Sequence, residues 1–257
     1  MVPIAYGPML RSPGKRRVRL RGCFNFRDLG GYETDCGLRT RYQRLFRSDG
    51  LYLLTAADQD EVARLGIATV IDLRTPDEVA ATGLARVLAA RHQLPMDDLL
   101  CAPSGVGPWH AEPAFVADMY LAALAANVET LREILAVLTD PSTYPAVVSC
   151  SSGIERTGIV TAVVLGLLGV PDSRIVADFA GSREAVLRRI GRLRFEHPAA
   201  VSHELDRYGV GLLGVVPEAM SLFLHRLRKE HGSFPGYAHS IDMADAVPYL
   251  SAALLES

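Results

Sequence analysis

Short apolar runs alternate with segments of helical spacing between residues 54 and 168 of this 257-residue chain. Residues 67–73 (IATVIDL) and 145–149 (PAVVS) are apolar and rich in β-branched side chains, which is typical of strands buried on both faces of a parallel sheet. A further strand is predicted over residues 91–95.

Helices are predicted between these strands. Thr55 is placed to cap a helix that ends at Gly66, and Thr75 is placed to cap a second helix with Pro76 in its first turn. Two further helical stretches cover residues 113–139 and 157–168. Because strands and helices alternate, we predict an α/β fold with a central, mostly parallel sheet flanked by helices.

The rest of the chain adds helices and no second sheet. Residues 171–257 have helical spacing with breaks, so residues 1–257 are predicted to form a single domain. Residues 1–20 carry a run of arginines and are expected to form a basic N-terminal arm. The segments around 95–125 and 180–230 are expected to supply a helical lid or cap.

The charge balance excludes some partners. Lys and Arg together number 27 and Asp and Glu 29, so a net charge of −2 provides no global field for binding nucleic acid. No apolar run reaches the roughly 18 residues that a membrane-spanning helix needs. We therefore expect no nucleic-acid partner and no membrane span, and nothing in the sequence specifies an oligomeric state.

Cysteine and histidine usage points to free thiols and to no metal. The four cysteines are widely and irregularly spaced, as expected in a reducing compartment. The N-terminus has its basic residues after its apolar stretch, the reverse of a signal peptide, so a cytoplasmic location is predicted, with secretion by an unrecognised route as the alternative. The seven histidines are scattered without ligand spacing, and we assign no metal and no cofactor.

The candidate chemistry lies in the segment CSSGIERTG, residues 150–158. It follows an apolar strand and leads into a helix, which is where α/β sheets bind ligands. A loop that curls into a helix N-terminus can direct its N–H groups at an anion, and Arg156 can hold two phosphate oxygens. The predicted phosphate-binding residues are Ser151, Ser152, Gly153, Ile154, Arg156, Thr157 and Gly158.

The same positive environment would stabilise a thiolate at Cys150. Attack of the Cys150 sulfur on phosphorus would give a phosphocysteine intermediate that water hydrolyses. Thr157 is expected to hydrogen-bond the sulfur and to ease its departure. A buried, inert cysteine is the ordinary alternative, but it explains neither Arg156 nor Gly153 at this spacing.

The pattern Cys-x-x-Gly-x-x-Arg-Thr-Gly resembles the signature of the bacterial tyrosine/serine protein phosphatase family, part of the cysteine-dependent phosphatase superfamily. The resemblance extends to residues 25–32, 45–49, 70–75, 175–179 and 232–237. It implies a single-domain phosphatase fold with a helical lid, metal-independent hydrolysis of phosphomonoesters, a Cys nucleophile and an Arg clamp.

Three residues depart from the family pattern. Ser149 stands where the family usually has His, and Ile154 and Glu155 stand where it often has Lys and Asp. Without the His, Cys150 is expected to be less acidic than is usual in the family. Without the Lys, polyphosphoinositides are weaker candidates as substrates.

Two carboxylates compete for the role of general acid, which must lie within reach of the leaving oxygen. Glu155 lies inside the loop at the position of a candidate acid in the family, whereas Asp72 ends a neighbouring strand at the same sheet edge. Asn25, Arg27 and Asp28 precede a Gly-Gly turn and are expected to brace backbone groups.

The sequence therefore predicts a cysteine-dependent phosphomonoesterase. Its substrate is either a phosphoprotein or a small phosphorylated metabolite. A non-catalytic module that binds phosphorylated ligands is the alternative, mildly favoured by Ser149 and opposed by Cys150. A sulfurtransferase also uses a cysteine loop, but the spacing from Cys150 to Arg156 and the Arg-Thr-Gly ending fit that class of enzyme less well.

Overall fold

A five-stranded sheet in the order β1-β3-β6-β4-β5 forms the centre of the computed structural model, which describes residues 16–84, 87–97, 112–196 and 215–257. The strands are β1 (Arg27–Asp28), β2 (Arg39–Thr40), β3 (Leu45–Ser48), β4 (Thr69–Asp72), β5 (Ala90–Gln93), β6 (Ala146–Ser149) and β7 (Leu255–Glu256). Strands β3, β6, β4 and β5 are parallel, and β1 is antiparallel to β3. The predicted fold class is confirmed.

Helices cover both faces of this sheet. They are α1 (Ala56–Arg64), α2 (Pro76–Thr82), α3 (Pro113–Ala126), α4 (Val128–Thr139), α5 (Glu155–Leu167), α6 (Asp172–Ala180), α7 (Ser182–Glu196), α8 (Pro217–His231), α9 (Phe234–Ser240) and α10 (Ala246–Leu254), with 3₁₀ turns at Leu51–Leu53 and Pro141–Thr143. Among the described helices, none is both long and apolar enough to cross a membrane.

The two predicted N-caps are confirmed. The Thr55 and Thr75 hydroxyl oxygens each accept a hydrogen bond from the N–H three residues on, and the carboxylates of Asp58 and Glu78 each accept one from the N-cap N–H. Each capping box satisfies two backbone donors that the helix itself leaves unpaired.

Successive residues of the central strands face opposite sides of the sheet. Val148 and Ile71 pack into the large core around α5, whereas Val147 and Val70 pack against Val18 and its neighbours on the other side. The helix α5 is buried along nearly its whole length, so its position is fixed from all sides.

Strand β3 was not predicted, although it is the direct neighbour of β6. All four of its residues are buried, but Arg47 interrupts the apolar pattern. The charge of Arg47 is compensated inside the protein by Asp178, a partner 131 positions away that no local pattern shows. At the C-terminus, β7 pairs with β2, which departs from the all-helical prediction for residues 171–257.

Helices α3 and α8, which lie within the predicted lid segments, pack in the main core. In α3, Tyr120 contacts the rings of Phe179 and Phe223 edge-on at 6.2 and 6.1 Å between centroids, and α3 packs along α8. The remainder of these segments, residues 98–111 and 197–214, lies outside the described residues, so the lid stays a prediction.

The predicted N-terminal arm is described only from residue 16 onward. There the chain packs against β1: the Val18 N–H donates to the Phe26 carbonyl, and the Asp28 N–H donates to the Arg16 carbonyl. Val18 is buried. Residues 16–20 are therefore part of the domain.

A buried ion cluster ties α6 to the sheet. Asp178 accepts hydrogen bonds from Arg27 Nε at 2.9 Å, Arg47 Nη1 at 2.7 Å and the Tyr32 hydroxyl at 2.9 Å. Burial alone would raise the pKa of Asp178, but the two guanidinium groups outweigh it and hold that pKa below its ordinary value.

We expect Asp178→Ala to lower the free energy of unfolding by about 3–5 kcal/mol, because it leaves two buried guanidinium groups without their carboxylate. Asp172→Ala, on the same helix, removes a half-exposed pair with Arg228 and should cost no more than about 1 kcal/mol. Denaturant unfolding of both variants measures the difference. Equal losses would show that the buried cluster is not what holds α6.

Candidate active site

The segment 150–154 connects β6 to α5 at the carboxyl edge of the sheet. Ser48, Ser149 and Asp72 are paired in register, so β3, β6 and β4 end at the same level. Helix α5 begins at Glu155, two residues earlier than predicted, and no side chain of the described residues caps its N-terminus. The uncapped first turn therefore directs its N–H groups and the positive end of its dipole toward the loop.

Gly153 gives the loop its shape. Its φ of +68° lies in the left-handed region, and a Cβ there would lie 2.4 Å from the Ser48 carbonyl oxygen. Both the backbone angle and the close approach of β3 require glycine at this position.

The loop carbonyls are held from outside. Arg47 Nη2 donates to the Gly153 carbonyl at 2.7 Å, and Asn25 Nδ2 donates to the same oxygen at 2.9 Å. Burial, followed by the proximity of Arg27, lowers the pKa of Arg47 to about 10, so this side chain still carries its charge at neutral pH. The carbonyl side of the loop is thereby fixed against the protein interior.

Cys150 is only 1% exposed and lies at the end of β6. Its sulfur accepts a hydrogen bond from the Gly153 N–H at 3.1 Å. A backbone donor at the sulfur stabilises negative charge there. The Thr157 hydroxyl, expected at this sulfur, is buried and forms no hydrogen bond within the described residues.

Arg156 is held by a residue that the sequence analysis missed. Its Nη1 and Nη2 atoms donate to Glu78 Oε2 and Oε1 at 2.6 and 2.7 Å. The Ser151 hydroxyl donates to Glu78 Oε1 at 2.6 Å. The hydrogen bond from Arg156 is the largest cause that lowers the pKa of Glu78, to about 2. Glu78 therefore stays ionised and joins the cap of α2 to the loop.

The signal for Glu78 was present in the sequence. Thr75-Pro76-Asp77-Glu78 is a capping box that directly follows β4, and this strand ends beside the loop. Sequence analysis alone assigns its acidic residues only to the helix dipole. What it cannot show is the carboxylate's second partner, 78 positions along the chain.

Glu155 lies in the first turn of α5, where its Oε2 accepts from the Ser152 hydroxyl at 3.2 Å. Burial and then the charge of Glu155 raise the pKa of Tyr120. The carboxylate thus lies at the start of α5, directly beside the loop that carries Cys150.

The Asp72 side chain is bound by two arginines, Arg74 and Arg91. Arg74 Nη2 donates to its Oδ2 at 2.7 Å, and Arg91 Nη2 donates to the same oxygen at 2.6 Å. Its Oδ1 accepts from Arg74 Nε at 2.9 Å. The Asp72 side chain is buried, and both of its oxygens bind guanidinium groups. Both carboxylate oxygens of Asp72 are therefore bound by arginine side chains of the protein itself.

The expected bracing by residues 25–28 is confirmed. Asn25 holds the loop carbonyl, and Arg27 joins the Asp178 cluster. Asp28 accepts from the N–H groups of Gly30 and Gln43, each at 2.8 Å. These contacts shape the backbone beside the loop.

The loop, the α5 N-terminus and Arg156 together can hold a tetrahedral oxyanion above the Cys150 sulfur. In the described part of the chain, no group of three or more His, Cys, Asp or Glu side chains could hold a metal ion.

Comparison with known proteins gives consistent matches. The sequence model of the tyrosine phosphatase family matches residues 18–256. The chain is 28% identical over 266 aligned positions to the triple specificity protein phosphatase PtpB of Mycobacterium tuberculosis, covering 88% of this chain and 94% of that protein. It is 26% identical over 221 positions to the tyrosine-protein phosphatase of Nostoc commune, covering 77% of this chain and 69% of that one.

Among solved structures, the crystal structure of P. aeruginosa TpbA is 18% identical, with a TM-score of 0.27, and the match covers 72% of this chain and 88% of that chain.

We expect Gly153→Ala to destabilise the protein more than Gly66→Ala. Gly66 has nearly the same φ, +66°, but open space around its Cβ position. Left-handed strain of about 1 kcal/mol is therefore common to both variants, and steric overlap should raise the cost at Gly153 to about 3 kcal/mol or more. Denaturant unfolding measures the free energy of unfolding of both variants. Similar losses would show that β3 does not restrict the space at Gly153.

We expect the stability difference between wild type and Glu78→Gln to depend on pH. Because the pKa of Glu78 is lowered from 4.5 to about 2 on folding, its ionised form stabilises the native state fully above pH 4.5. This contribution decreases as the pH falls from 4.5 toward about 2. Denaturant unfolding at neutral and acid pH measures it; a difference that stays constant with pH would contradict the ion pair with Arg156.

Proposed function

Because the chain belongs to the tyrosine phosphatase family, we propose that Cys150, Arg156 and Glu155 carry out its phosphatase reaction. The single observation that supports this assignment best is the loop itself. One turn joins the buried Cys150 sulfur, a backbone donor at 3.1 Å from it and the start of α5. Such a turn suits a nucleophile and an anion hole in one structure.

In the first step, the loop N–H groups and Arg156 hold the phosphoryl oxygens of a phosphate monoester. The Cys150 thiolate attacks phosphorus, so that a P–S bond forms while the bond to the leaving oxygen breaks. Glu155 donates its proton to that oxygen, and an alcohol or phenol departs.

In the second step, water attacks the phosphocysteine. The Glu155 carboxylate accepts a proton from this water, the P–S bond breaks, and inorganic phosphate and the Cys150 thiolate are released. The Thr157 hydroxyl, buried within the first turn of α5, is the proposed donor to the departing sulfur.

Glu78 acts as a positioning residue in this proposal. By binding the Nη atoms of Arg156 end-on, it orients the guanidinium group, so that the Nε–Nη2 edge is the one offered to phosphate. Asp72 has a structural role, since its two arginine partners account for both of its oxygens.

Phosphorylated protein side chains, phosphotyrosine included, are the proposed substrates. The names of the two similar proteins, a triple specificity protein phosphatase and a tyrosine-protein phosphatase, support this class. A small phosphorylated metabolite is the second candidate, favoured by the unusual Ser149 and Ile154. Specificity constants on phosphopeptide and phosphometabolite panels distinguish the two.

A reducing compartment suits a thiolate nucleophile, so the cytoplasm remains the proposed location. Cys23, Cys36 and Cys150 are all free thiols.

Hydrolysis of an aryl phosphate without added metal tests the function. We expect wild-type turnover and a loss of at least about 10³-fold in Cys150→Ser. The matched control is Cys36→Ser, which changes an exposed thiol and should leave the rate unchanged. Absence of wild-type turnover would favour the non-catalytic binding module. Activity that survives in Cys150→Ser would refute the cysteine mechanism.

Glu155→Gln should reveal the acid through the leaving group. We expect kcat on alkyl phosphates to fall about 10²–10³-fold, with a smaller loss on aryl phosphates whose leaving group needs less protonation. Asp72→Asn, as the control, should slow both substrate classes by similar factors. If the leaving-group dependence changes in Asp72→Asn and not in Glu155→Gln, the assignment of the acid is wrong.

A further inference from the structure

A cleft of about 420 Å³ opens beside β1, at the junction of α6 and α7. We call it the basic cleft, because four arginines and one carboxylate are its charged lining residues: Arg16, Arg17, Arg19, Arg27 and Glu184. The whole chain has a net charge of −2, so this concentration of positive charge is local. No step of the proposed phosphatase reaction uses these side chains.

The charges of the cleft are only partly compensated. Arg17 pairs with Glu184 at 2.5 Å, and Arg27 binds Asp178 behind the cleft. The guanidinium of Arg16 lies over the Tyr32 ring at 4.0 Å from its centroid, and Arg19 is exposed. Within the described residues, neither Arg16 nor Arg19 forms a salt bridge. Two positive charges therefore remain to attract an anion.

The backbone adds to this field. The 15-residue helix α7 begins at Ser182, and Gly181, the residue before it, lines the cleft. The buried Ser182 hydroxyl accepts hydrogen bonds from Arg27 Nη2 at 3.1 Å and from Asn25 Nδ2 at 3.3 Å. The positive end of the α7 dipole thus lies beside the arginines, an arrangement that suits a bound oxyanion.

The cleft is separate from the catalytic pocket. Asn25, which lines it, contacts the loop through the carbonyl oxygens of Gly153 and Ser152, at 2.9 and 3.4 Å. The cleft therefore lies on the carbonyl side of the loop, whereas Cys150 accepts from an N–H group. One phosphoryl group cannot occupy both places.

We propose that the basic cleft is a second oxyanion site, which binds a phosphate dianion through Arg16 and Arg19 together with the α7 N-terminus. Arg17 contributes charge, and Glu184 opposes binding, so the affinity reflects their balance. The phosphate has two sources: free inorganic phosphate, which is the product of the reaction, or a second phosphoryl group on a doubly phosphorylated substrate.

Equilibrium dialysis of the full chain with labelled inorganic phosphate, at constant ionic strength, counts the sites. We expect two sites in wild type, and one in each of Arg156→Ala and the double variant Arg16→Gln/Arg19→Gln. In the double variant, the cleft should bind at least about tenfold more weakly. Glu184→Gln should tighten cleft binding severalfold. The control is Arg39→Gln, which removes an exposed arginine paired with Glu33 elsewhere on the surface and should change nothing.

A single site in wild type that Arg156→Ala abolishes would overturn the proposal, as would a second site that persists in the double variant. Failure of the phosphatase assignment looks different, because wild-type turnover of a phosphate monoester would then be absent while the cleft still binds. Specificity constants for singly and doubly phosphorylated peptides distinguish the sources. If the double variant has a lower specificity constant than wild type for the doubly phosphorylated peptide only, the cleft binds the second phosphoryl group of the substrate. If the double variant and wild type have equal specificity constants for both peptides, the cleft binds free phosphate.

Discussion

The carbonyl of Gly153, fixed from outside by Arg47 at 2.7 Å and Asn25 at 2.9 Å, is the constraint on which the site depends. A trans peptide directs its C=O and N–H to opposite sides. Holding this carbonyl against the interior therefore turns the N–H of the same peptide unit, that of Ile154, to the opposite side of the loop. The left-handed φ of Gly153 makes this arrangement accessible, and β3 leaves no room for a side chain. In the proposed mechanism, this geometry orients the anion hole before substrate binds.

This arrangement needs a buried cation, and a buried cation needs compensation. Arg47 is wholly inside the protein, where Asp178 neutralises it and Arg27 shares the same carboxylate. Buried ion clusters often add little net stability compared with apolar packing, but they fix geometry, since a displaced partner leaves an unpaired charge. Asp178 in α6 therefore determines indirectly where the loop carbonyl lies. At the start of α5, Glu78 likewise fixes the orientation of the Arg156 guanidinium group.

Local chemistry made much of this predictable from the sequence. Strands β4 and β6, the two threonine N-caps and the loop with Cys150 and Arg156 all follow from short-range patterns. Strand β3 does not, because its Arg47 looks like a surface residue until Asp178 is brought to it by the fold. Glu78 was missed for the same reason. The position of Asp72 at the sheet edge makes it a candidate acid in the sequence, but its ion pairs with Arg74 and Arg91 are visible only in the structure.

In the proposed reaction, this loop makes the Cys150 sulfur the nucleophile. Rapid acid quenching of the enzyme during turnover of a phosphate monoester, followed by mass analysis of its peptides, tests this role. We expect one phosphoryl group on the peptide that contains Cys150, carried by its sulfur. A phosphoryl group on another residue, or continued turnover with no phosphoenzyme at any quench time, would contradict it.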